Sequence, residues 1–214
     1  MSCYPINLQI GGRPCLVIGG GVVAQQKVRS LLIAGAVVTV VSPDLTADLA
    51  KLAAEGSICH VDRPYQVGDL QGYVLAICAA SSPVVNREAA AEAQKRNILV
   101  NVVDAPELGS FSVPAQVVQG NLLLTISTNG LSPALARRLR EELAETYGPE
   151  YGQYLELLAK ARFQVKEYLG SAQERGCFWQ ETLDKEILAL LRQGRMKEAE
   201  AKIDDAIGGI GIKS

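Results

Sequence analysis

Apolar and polar positions alternate in blocks along the first half of the chain. Short apolar runs, each long enough for a buried strand, are separated by segments with apolar residues at helical spacing. The order of these blocks predicts a parallel sheet with helices on both faces, which is the α/β class. The strands are expected near 15–19, 37–41, 58–61, 73–79 and 98–103, and the helices near 22–34, 45–55 and 83–96.

Residues that commonly end or begin helices stand at the edges of these blocks. Gly35 follows the first predicted helix and suits its C-terminal cap. Pro83 suits the first turn of the third helix, with Ser81 and Ser82 before it as candidate N-caps.

The pattern changes after Asp104. Residues 105–114 are typical of a loop, the apolar run 122–126 predicts a strand, and Ser132 is a natural N-cap with Pro133 after it. From about Pro149 the chain contains only helical patterns. We expect one helix along 151–168, further helices near 179–192 and 195–206, and a loose tail over 208–214.

Composition narrows the class of protein. The chain has 214 residues, of which 48% are hydrophobic, as a packed α/β core requires. A net charge of −2 argues against a general nucleic-acid binder. No segment approaches a membrane span, and the N-terminus lacks the features of a signal peptide. A cytoplasmic protein is the simplest interpretation.

Cysteine and histidine give no sign of a metal site. The five cysteines are scattered without a C-x-x-C pair, so neither a disulfide framework nor a cysteine zinc site is indicated. His60 is the only histidine, which excludes a multi-histidine site within one chain. We interpret His60 as a strand-end residue; a ligand or catalytic role is the alternative. No metal site is predicted.

A glycine-rich turn follows the first strand. Gly19-x-Gly21-x-x-Ala24 stands between an apolar strand and an amphipathic helix, which is the context of a Rossmann-type dinucleotide site. Gly19 permits the tight turn, Gly21 lets the backbone approach a pyrophosphate, and Ala24 keeps the helix close to the sheet. Val22 and Val23 lie in the first helical turn, whose N-terminus faces the phosphates. The alternative is a turn that binds nothing.

The end of the second strand bears on the choice of dinucleotide. An acidic residue about 20 positions after the glycines often binds the ribose hydroxyls. Here the strand ends in Ser42-Pro43-Asp44, with Ser42 near that position and Asp44 slightly later. This leaves NAD and NADP both open, but no arginine stands beside Ser42 to hold a 2′-phosphate, which favours NAD.

Asp104 follows the predicted strand 98–103, at the sheet edge where α/β proteins bind ligands. A carboxylate there could take a proton as a hydride leaves. Capping of a turn with Pro106 is an equally good interpretation of this residue alone.

The segment from Ser127 to Pro133 leads into a helix that carries Arg137 and Arg138. Its hydroxyls, backbone donors, helix N-terminus and cations together suit an anionic ligand. For the arginines, an ordinary capped helix with a solvated basic face is the more common explanation.

Together these segments resemble precorrin-2 dehydrogenase, the NAD-dependent oxidation module of siroheme synthesis. The resemblance extends in order over about residues 3–145. The matching segments are Tyr4-Pro-Ile, Val17-Ile-Gly-Gly-Gly-Val-Val-Ala24 with Lys27, Leu32-Ile-Ala-Gly-Ala-Val-Val-Thr-Val-Val-Ser-Pro43, Val85-Asn86, Asn101-Val-Val-Asp-Ala-Pro106, Phe111-x-x-Pro-Ala115 and Ser127-Thr-Asn-Gly-Leu-Ser-Pro-Ala-Leu-Ala-Arg137.

The resemblance implies a homodimer that oxidises precorrin-2 to sirohydrochlorin and reduces NAD. It implies an NAD-binding Rossmann-type domain over 1–113, a dimerisation segment over 114–148 and a C-terminal helical domain over 149–214. The family's important aspartate falls on Asp104, which favours its catalytic role. Nucleotide contacts fall on Val22, Val23, Pro43 and Asp44. A docking surface for the tetrapyrrole carboxylates is implied at Ser127, Thr128, Asn129, Gly130, Ser132 and Arg137.

Two departures from the family pattern concern the site. Ser81-Ser-Pro83 stands where relatives often have paired aspartates, and Asn129-Gly130 stands where they usually have two glycines. Because Asn tolerates left-handed backbone, we expect that turn to survive. Some relatives also insert ferrous iron into sirohydrochlorin, so ferrochelatase activity in addition to dehydrogenation is a further hypothesis. A ferrochelatase whose nucleotide site no longer works is another. A module that senses NAD(H) without catalysis is the alternative from a different class.

Overall fold

A computed structural model of the chain describes residues 3–182 and 185–211, which form two compact units. The first unit is Tyr4–Val113, and the second begins at Pro114. No helix in these ranges is both long enough and apolar enough to cross a membrane.

The first unit contains a five-stranded parallel sheet in the order β3-β2-β1-β4-β5. This order confirms the predicted α/β fold of Rossmann type. Because the chain leaves β1 toward β2 on one side and later returns to β4 on the other, a crevice opens at the carboxyl ends of β1 and β4. The elements are β1 (Pro14–Ile18), α1 (Val22–Ile33), β2 (Val37–Val41), α2 (Ala47–Ala54), β3 (Cys59–Val61), β4 (Leu75–Cys78), α3 (Pro83–Lys95) and β5 (Leu99–Val102).

Two apolar cores lie on opposite faces of this sheet. Alternate residues of β1 point to opposite faces, so Val17 joins the core with Val28 of α1, and Leu16 joins the core with Ala89 of α3. The strands are therefore buried on both faces, which explains their nearly continuous runs of Val, Ile and Leu.

The predicted helix ends are largely correct. Gly35 takes φ +75° just after α1 and donates its N–H to Leu32, as expected of a C-terminal cap. Pro83 begins α3, and Ser82 holds the N-cap position. In the described structure the Ser82 side chain makes no capping hydrogen bond.

The second unit begins with an antiparallel hairpin and continues as helices. Residues Tyr154, Leu157, Val165, Ile187 and Ile203 contribute to a separate core among the last helices. The elements are β6 (Ala115–Gln119), β7 (Leu122–Ile126), α4 (Pro133–Thr146), α5 (Pro149–Tyr168), α6 (Ala172–Thr182), α7 (Lys185–Arg192) and α8 (Met196–Gly211).

Sequence patterns were less reliable in this unit. Strand β6 was not predicted, although Gly120-Asn121 between two runs of β-forming residues is a hairpin signal. The start of the helix expected over 179–192 is wrong, because α6 already begins at Ala172. The rest of that range is helical in α6 and α7 as far as the structure describes it, and residues 183–184 lie outside the described residues.

The loose tail expected from Gly208 is also wrong as far as the structure describes it, because α8 extends to Gly211. Ile203 and Ile207 are buried and Ile210 packs against the same core, so the apolar period continues past the glycines. Residues 212–214 of that prediction lie outside the described residues.

Candidate functional site

A cavity of about 800 Å³ opens in the first unit at the carboxyl ends of its strands. This volume is in the range of pockets that hold cofactors. Eight of the predicted site residues line it, namely Gly19, Gly21, Val22, Val23, Ser42, Pro43, Asp44 and Asp104. Ala24 does not. It is fully buried in the core beside Val28, where its small side chain lets α1 lie close to the sheet.

The three glycines after β1 are constrained in different ways. Gly19 takes φ +115°, and a Cβ atom there would overlap the carbonyl group of Ala79. A Cβ atom on Gly20 would overlap the carbonyl oxygen of Asp44. At Gly21 a Cβ atom would meet nothing within 4 Å. Gly19 and Gly20 therefore let the backbone pack against neighbouring segments, whereas Gly21 borders open space within the cavity.

The N-terminus of α1 is available to an anion. Gly21 holds the N-cap position, and within the described chain no side chain caps this helix end and no acidic residue lies in its first turn. The backbone N–H groups of the first turn have no partners inside the helix. Together with the open space at Gly21, they fit the pyrophosphate of a dinucleotide.

Hydrogen bonds fix the turn after β2. The Ser42 hydroxyl donates to the carbonyl oxygen of Asp44 at 2.7 Å, and the Thr46 N–H donates to the Gly20 carbonyl at 2.9 Å. His60 lies in β3 and donates from Nε2 to the Ser42 carbonyl at 2.8 Å. His60 is thus the middle residue of a three-residue strand, next to the strand-end position that we expected. The Asp44 side chain is exposed at the rim of the cavity, where it can accept hydrogen bonds.

Asp104 lies just beyond β5, exposed and at the cavity wall. Its Oδ1 accepts a hydrogen bond from Nδ2 of Asn86 at 3.0 Å. Burial raises the pKa of the Cys78 thiol at the end of β4 to about 12, and the charge of Asp104 adds to this rise. Cys78 is therefore a neutral thiol at physiological pH.

Tyr65 forms another part of the wall and was not predicted from the sequence. Its hydroxyl donates to the buried carboxylate of Glu92, which also accepts from the Gly68 N–H at 2.8 Å and from Arg96 at 2.7 Å. Burial tends to raise the pKa of Glu92, but these hydrogen bonds and the Arg96 charge lower it overall. The same burial, with the Glu92 hydrogen bond, raises the pKa of Tyr65.

Several other wall residues were missed, including Gly20, Thr46 and the loop Ala79–Ser82 between β4 and α3. A signal for the loop was available. Parallel strands end at one edge of the sheet, so each segment that follows a strand is a candidate for the wall.

The predicted substrate residues lie in the second unit, around the turn between β7 and α4. Asn129 takes φ +52° and Gly130 takes φ +79°, so the expectation that Asn supports this turn is confirmed. Thr128 and Ser132 bond to each other, and Ser132 caps α4 through the Leu135 N–H.

Arg137 and Arg138 are exposed and pair with Glu141 and Glu142 one helical turn later. These pairs fit a solvated helix face, so the role of Arg137 toward an anionic substrate stays a prediction. The same holds for Ser127, whose hydroxyl accepts from the Asn129 N–H at 3.1 Å.

Three family models match successive parts of the chain. The model described as "Putative NAD(P)-binding" matches residues 6–115, "Sirohaem biosynthesis protein central" matches 119–146, and "Sirohaem synthase dimerisation region" matches 150–207. The first of these models spans about half of the chain, so the chain belongs to the family of NAD(P)-binding domains that it describes. Its first unit is the NAD(P)-binding part, so the cofactor class is a nicotinamide dinucleotide.

Siroheme synthases and a precorrin-2 dehydrogenase are similar to nearly the whole chain. A siroheme synthase of Methylobacillus flagellatus is 41% identical over 99% of this chain, and one of Azotobacter vinelandii is 38% identical over 100% of it. The chain spans only 45% and 46% of the length of these two relatives. A solved structure of SirC, a precorrin-2 dehydrogenase, matches with a TM-score of 0.79 and 28% identity, over 95% of this chain and all of that chain.

The model described as the dimerisation region matches residues C-terminal to 114–148, the segment that we predict to form the dimer.

Proposed function

We propose that this chain is an NAD-dependent precorrin-2 dehydrogenase, which oxidises precorrin-2 to sirohydrochlorin in siroheme synthesis. The observation that carries the proposal is the placement of Asp104. Its exposed carboxylate lines the same cavity as the glycine turn and the free N-terminus of α1. The likeness to SirC, of which this chain covers the whole length, supports the same activity.

Different residues of the cavity would contact different parts of the dinucleotide. Gly19, Gly21, Val22 and Val23 would surround the pyrophosphate, while Ser42, Pro43 and Asp44 would contact the adenosine ribose. A bound nicotinamide ring supplies a two-electron hydride acceptor. The oxidation removes a hydride and a proton from the substrate, and Asp104 accepts the proton from a C–H or N–H group of the macrocycle.

We further propose that the dinucleotide is NAD rather than NADP. Among the described residues that line the cavity, none is a lysine or an arginine, and an arginine commonly holds the 2′-phosphate of NADP. The Asp44 carboxylate at the rim would repel that phosphate but accept hydrogen bonds from ribose hydroxyls.

Substrate and partner assignments follow from the same proposal. Precorrin-2 carries many carboxylates, which the turn at Ser127, Thr128, Asn129, Gly130 and Ser132, together with Arg137, would bind. The match to a sirohaem synthase dimerisation region supports a homodimer.

The direct test is turnover. The purified chain is mixed with precorrin-2 and NAD without oxygen, and NADH absorbance is followed. We expect one NADH for each precorrin-2 consumed, with kcat/KM for NAD at least tenfold above that for NADP. A chain that binds NAD and NADH with different affinities but forms no NADH would instead be a sensing module, and the proposed activity would be wrong.

A further inference from the structure

The side chain of Asn86 is buried to 1% exposure on the first turns of α3, yet all of its polar atoms are bonded. Its Oδ1 accepts from the Ala80 N–H at 3.1 Å. Its Nδ2 donates to the Ala80 carbonyl oxygen and to Oδ1 of Asp104, each at 3.0 Å. One amide group therefore joins the backbone of the cavity loop to the proposed catalytic carboxylate.

The orientation of this amide follows from its partners. The Ala80 N–H can only donate, so it must face the amide oxygen of Asn86. Nδ2 then carries two hydrogens, one for the Ala80 carbonyl and one for Asp104. An aspartate side chain here could accept from the Ala80 N–H but could donate to neither the Ala80 carbonyl nor Asp104. An aliphatic side chain could make none of these three hydrogen bonds.

The two segments that Asn86 joins both belong to the cavity wall. Ala80 lies in the loop Ala79–Ser82, and the Ala79 carbonyl lies directly over Gly19. Asp104 follows β5, the next strand of the sheet. Asn86 itself does not line the cavity and therefore acts on the site only through these neighbours.

The bond to Asn86 makes the two carboxylate oxygens of Asp104 unequal. Oδ1 accepts from Nδ2, whereas Oδ2 accepts no hydrogen bond from any residue that the structure describes. We propose that Asn86 is a positioning residue for the dehydrogenation, which holds Oδ1 so that Oδ2 receives the substrate proton. This inference rests on the proposed role of Asp104 as the base.

A double-mutant cycle tests the inference. Asn86→Asp keeps the size of the side chain but removes both N–H donors. We expect kcat to fall about 10- to 100-fold, which corresponds to a hydrogen bond to a charged group. KM for NAD should stay within about threefold, because the glycine turn is untouched. In an Asp104→Ala background the same change should lower kcat by less than about twofold, because the group that Asn86 positions is gone.

Asn101→Asp is the matched control. Asn101 is also buried, but its Nδ2 donates to the Phe111 carbonyl at 3.1 Å rather than to Asp104. The same chemical change there should leave the ratio of kcat to KM near that of the parent chain. If Asn86→Asp does not fold, as judged by circular dichroism and NAD binding, Asn86→Ala replaces it with the same expectations.

The outcomes separate the possible failures. An equal loss of kcat in the wild-type and Asp104→Ala backgrounds would show that Asn86 only shapes the loop, and would overturn the inference. Wild-type kcat in the Asn86 variant that folds would also overturn it. Full activity of Asp104→Ala alone would show that Asp104 is not the base, and would overturn the inference as well. NAD-dependent turnover of the parent chain would still support the proposed activity in that case.

Discussion

At the scale of single residues, the three glycines after β1 are not interchangeable. Gly20 lies against the carbonyl oxygen of Asp44 and accepts the Thr46 N–H on its own carbonyl, so it joins the glycine turn to the segment after β2. Gly21 borders open space and has φ −81°, which any residue can adopt. A larger residue at position 20 is therefore excluded by packing. At position 21 it would instead occupy the space proposed for the pyrophosphate.

Alanine at these two positions should separate stability from binding. Gly20→Ala should lower the free energy of unfolding by about 1–3 kcal/mol, because the added methyl group overpacks the turn. Gly21→Ala should leave that free energy within about 0.5 kcal/mol of wild type, since its methyl group meets only open space. It should still weaken NAD binding at least tenfold, because the methyl group occupies the approach of the pyrophosphate.

Urea unfolding and isothermal titration with NAD measure the two effects. Wild-type NAD affinity in Gly21→Ala would contradict the assignment of this space to the pyrophosphate.

A site residue could be predicted from the sequence when its role depends on neighbours along the chain. The glycine turn and Asp104 were accessible from the sequence because each follows directly after a strand. Asn86 and Tyr65 were not recognised as parts of the site, because their partners lie 18 and 27 positions away and are chosen by the packing of α3. Gly20 had a local signal in the run of three glycines.

At the scale of elements, Glu92 connects α3 to the loop after β3. Its carboxylate is buried, and it holds Tyr65 and the Gly68 backbone in place. A glutamine at this position would keep one accepting oxygen, for Tyr65 and Gly68 or for Arg96, but its NH2 group could not accept from the remaining donor. Glu88 lies on the same helix with an exposed side chain, and it offers a control for the change of charge alone.

Glu92→Gln should therefore destabilise the chain in a pH-dependent way. At neutral pH we expect a loss of about 1–3 kcal/mol, because one side of this buried cluster loses its acceptor and Arg96 loses its charged partner. Because the pKa of Glu92 is lowered in the folded state, its ionised form stabilises the fold above the ordinary value of 4.5. That stabilisation is lost as the pH falls through the lowered pKa, so the difference between wild type and variant should shrink below pH 4.5.

Urea unfolding of wild type, Glu92→Gln and Glu88→Gln across this pH range checks the prediction. A constant difference at all pH values, or an equal effect of Glu88→Gln, would contradict it.

Element predictions succeeded where burial on both faces gave long apolar runs, as in β1 and β2. They failed in β6, where only Val117 is buried and the alternation is weak. They also failed at α8, whose apolar period continues through glycines that ordinarily end helices.

At the scale of the whole molecule, α4 is the least covered helix. Within the described chain none of its residues is buried. Even its apolar side chain Leu135 is 48% exposed, and Leu131, just before the helix begins, is 89% exposed. A helix of this kind needs a further surface against which its apolar side chains can pack. A second copy of the chain would provide it, in agreement with the proposed homodimer and the predicted dimerisation segment 114–148.

Sedimentation equilibrium should thus show a dimer for the wild type. Leu135→Glu should weaken its association at least tenfold, because a charge would be buried in the interface. Ile33→Glu makes the same change at an exposed position of the first unit and should have no effect. Phe163, exposed on α5 in the range matched by the dimerisation model, separates the two assignments. Dissociation by Phe163→Glu but not by Leu135→Glu would make the predicted segment wrong.

In the proposed reaction, the Asp104 carboxylate at the cavity wall takes the proton that accompanies hydride transfer. Single-turnover NADH formation from precorrin-2 by Asp104→Ala tests this role, with the NAD dissociation constant determined on the same preparation. We predict a dissociation constant within about threefold of wild type and a rate lower by about 10²–10⁴, the usual contribution of a positioned base. A wild-type rate in this variant would contradict the account.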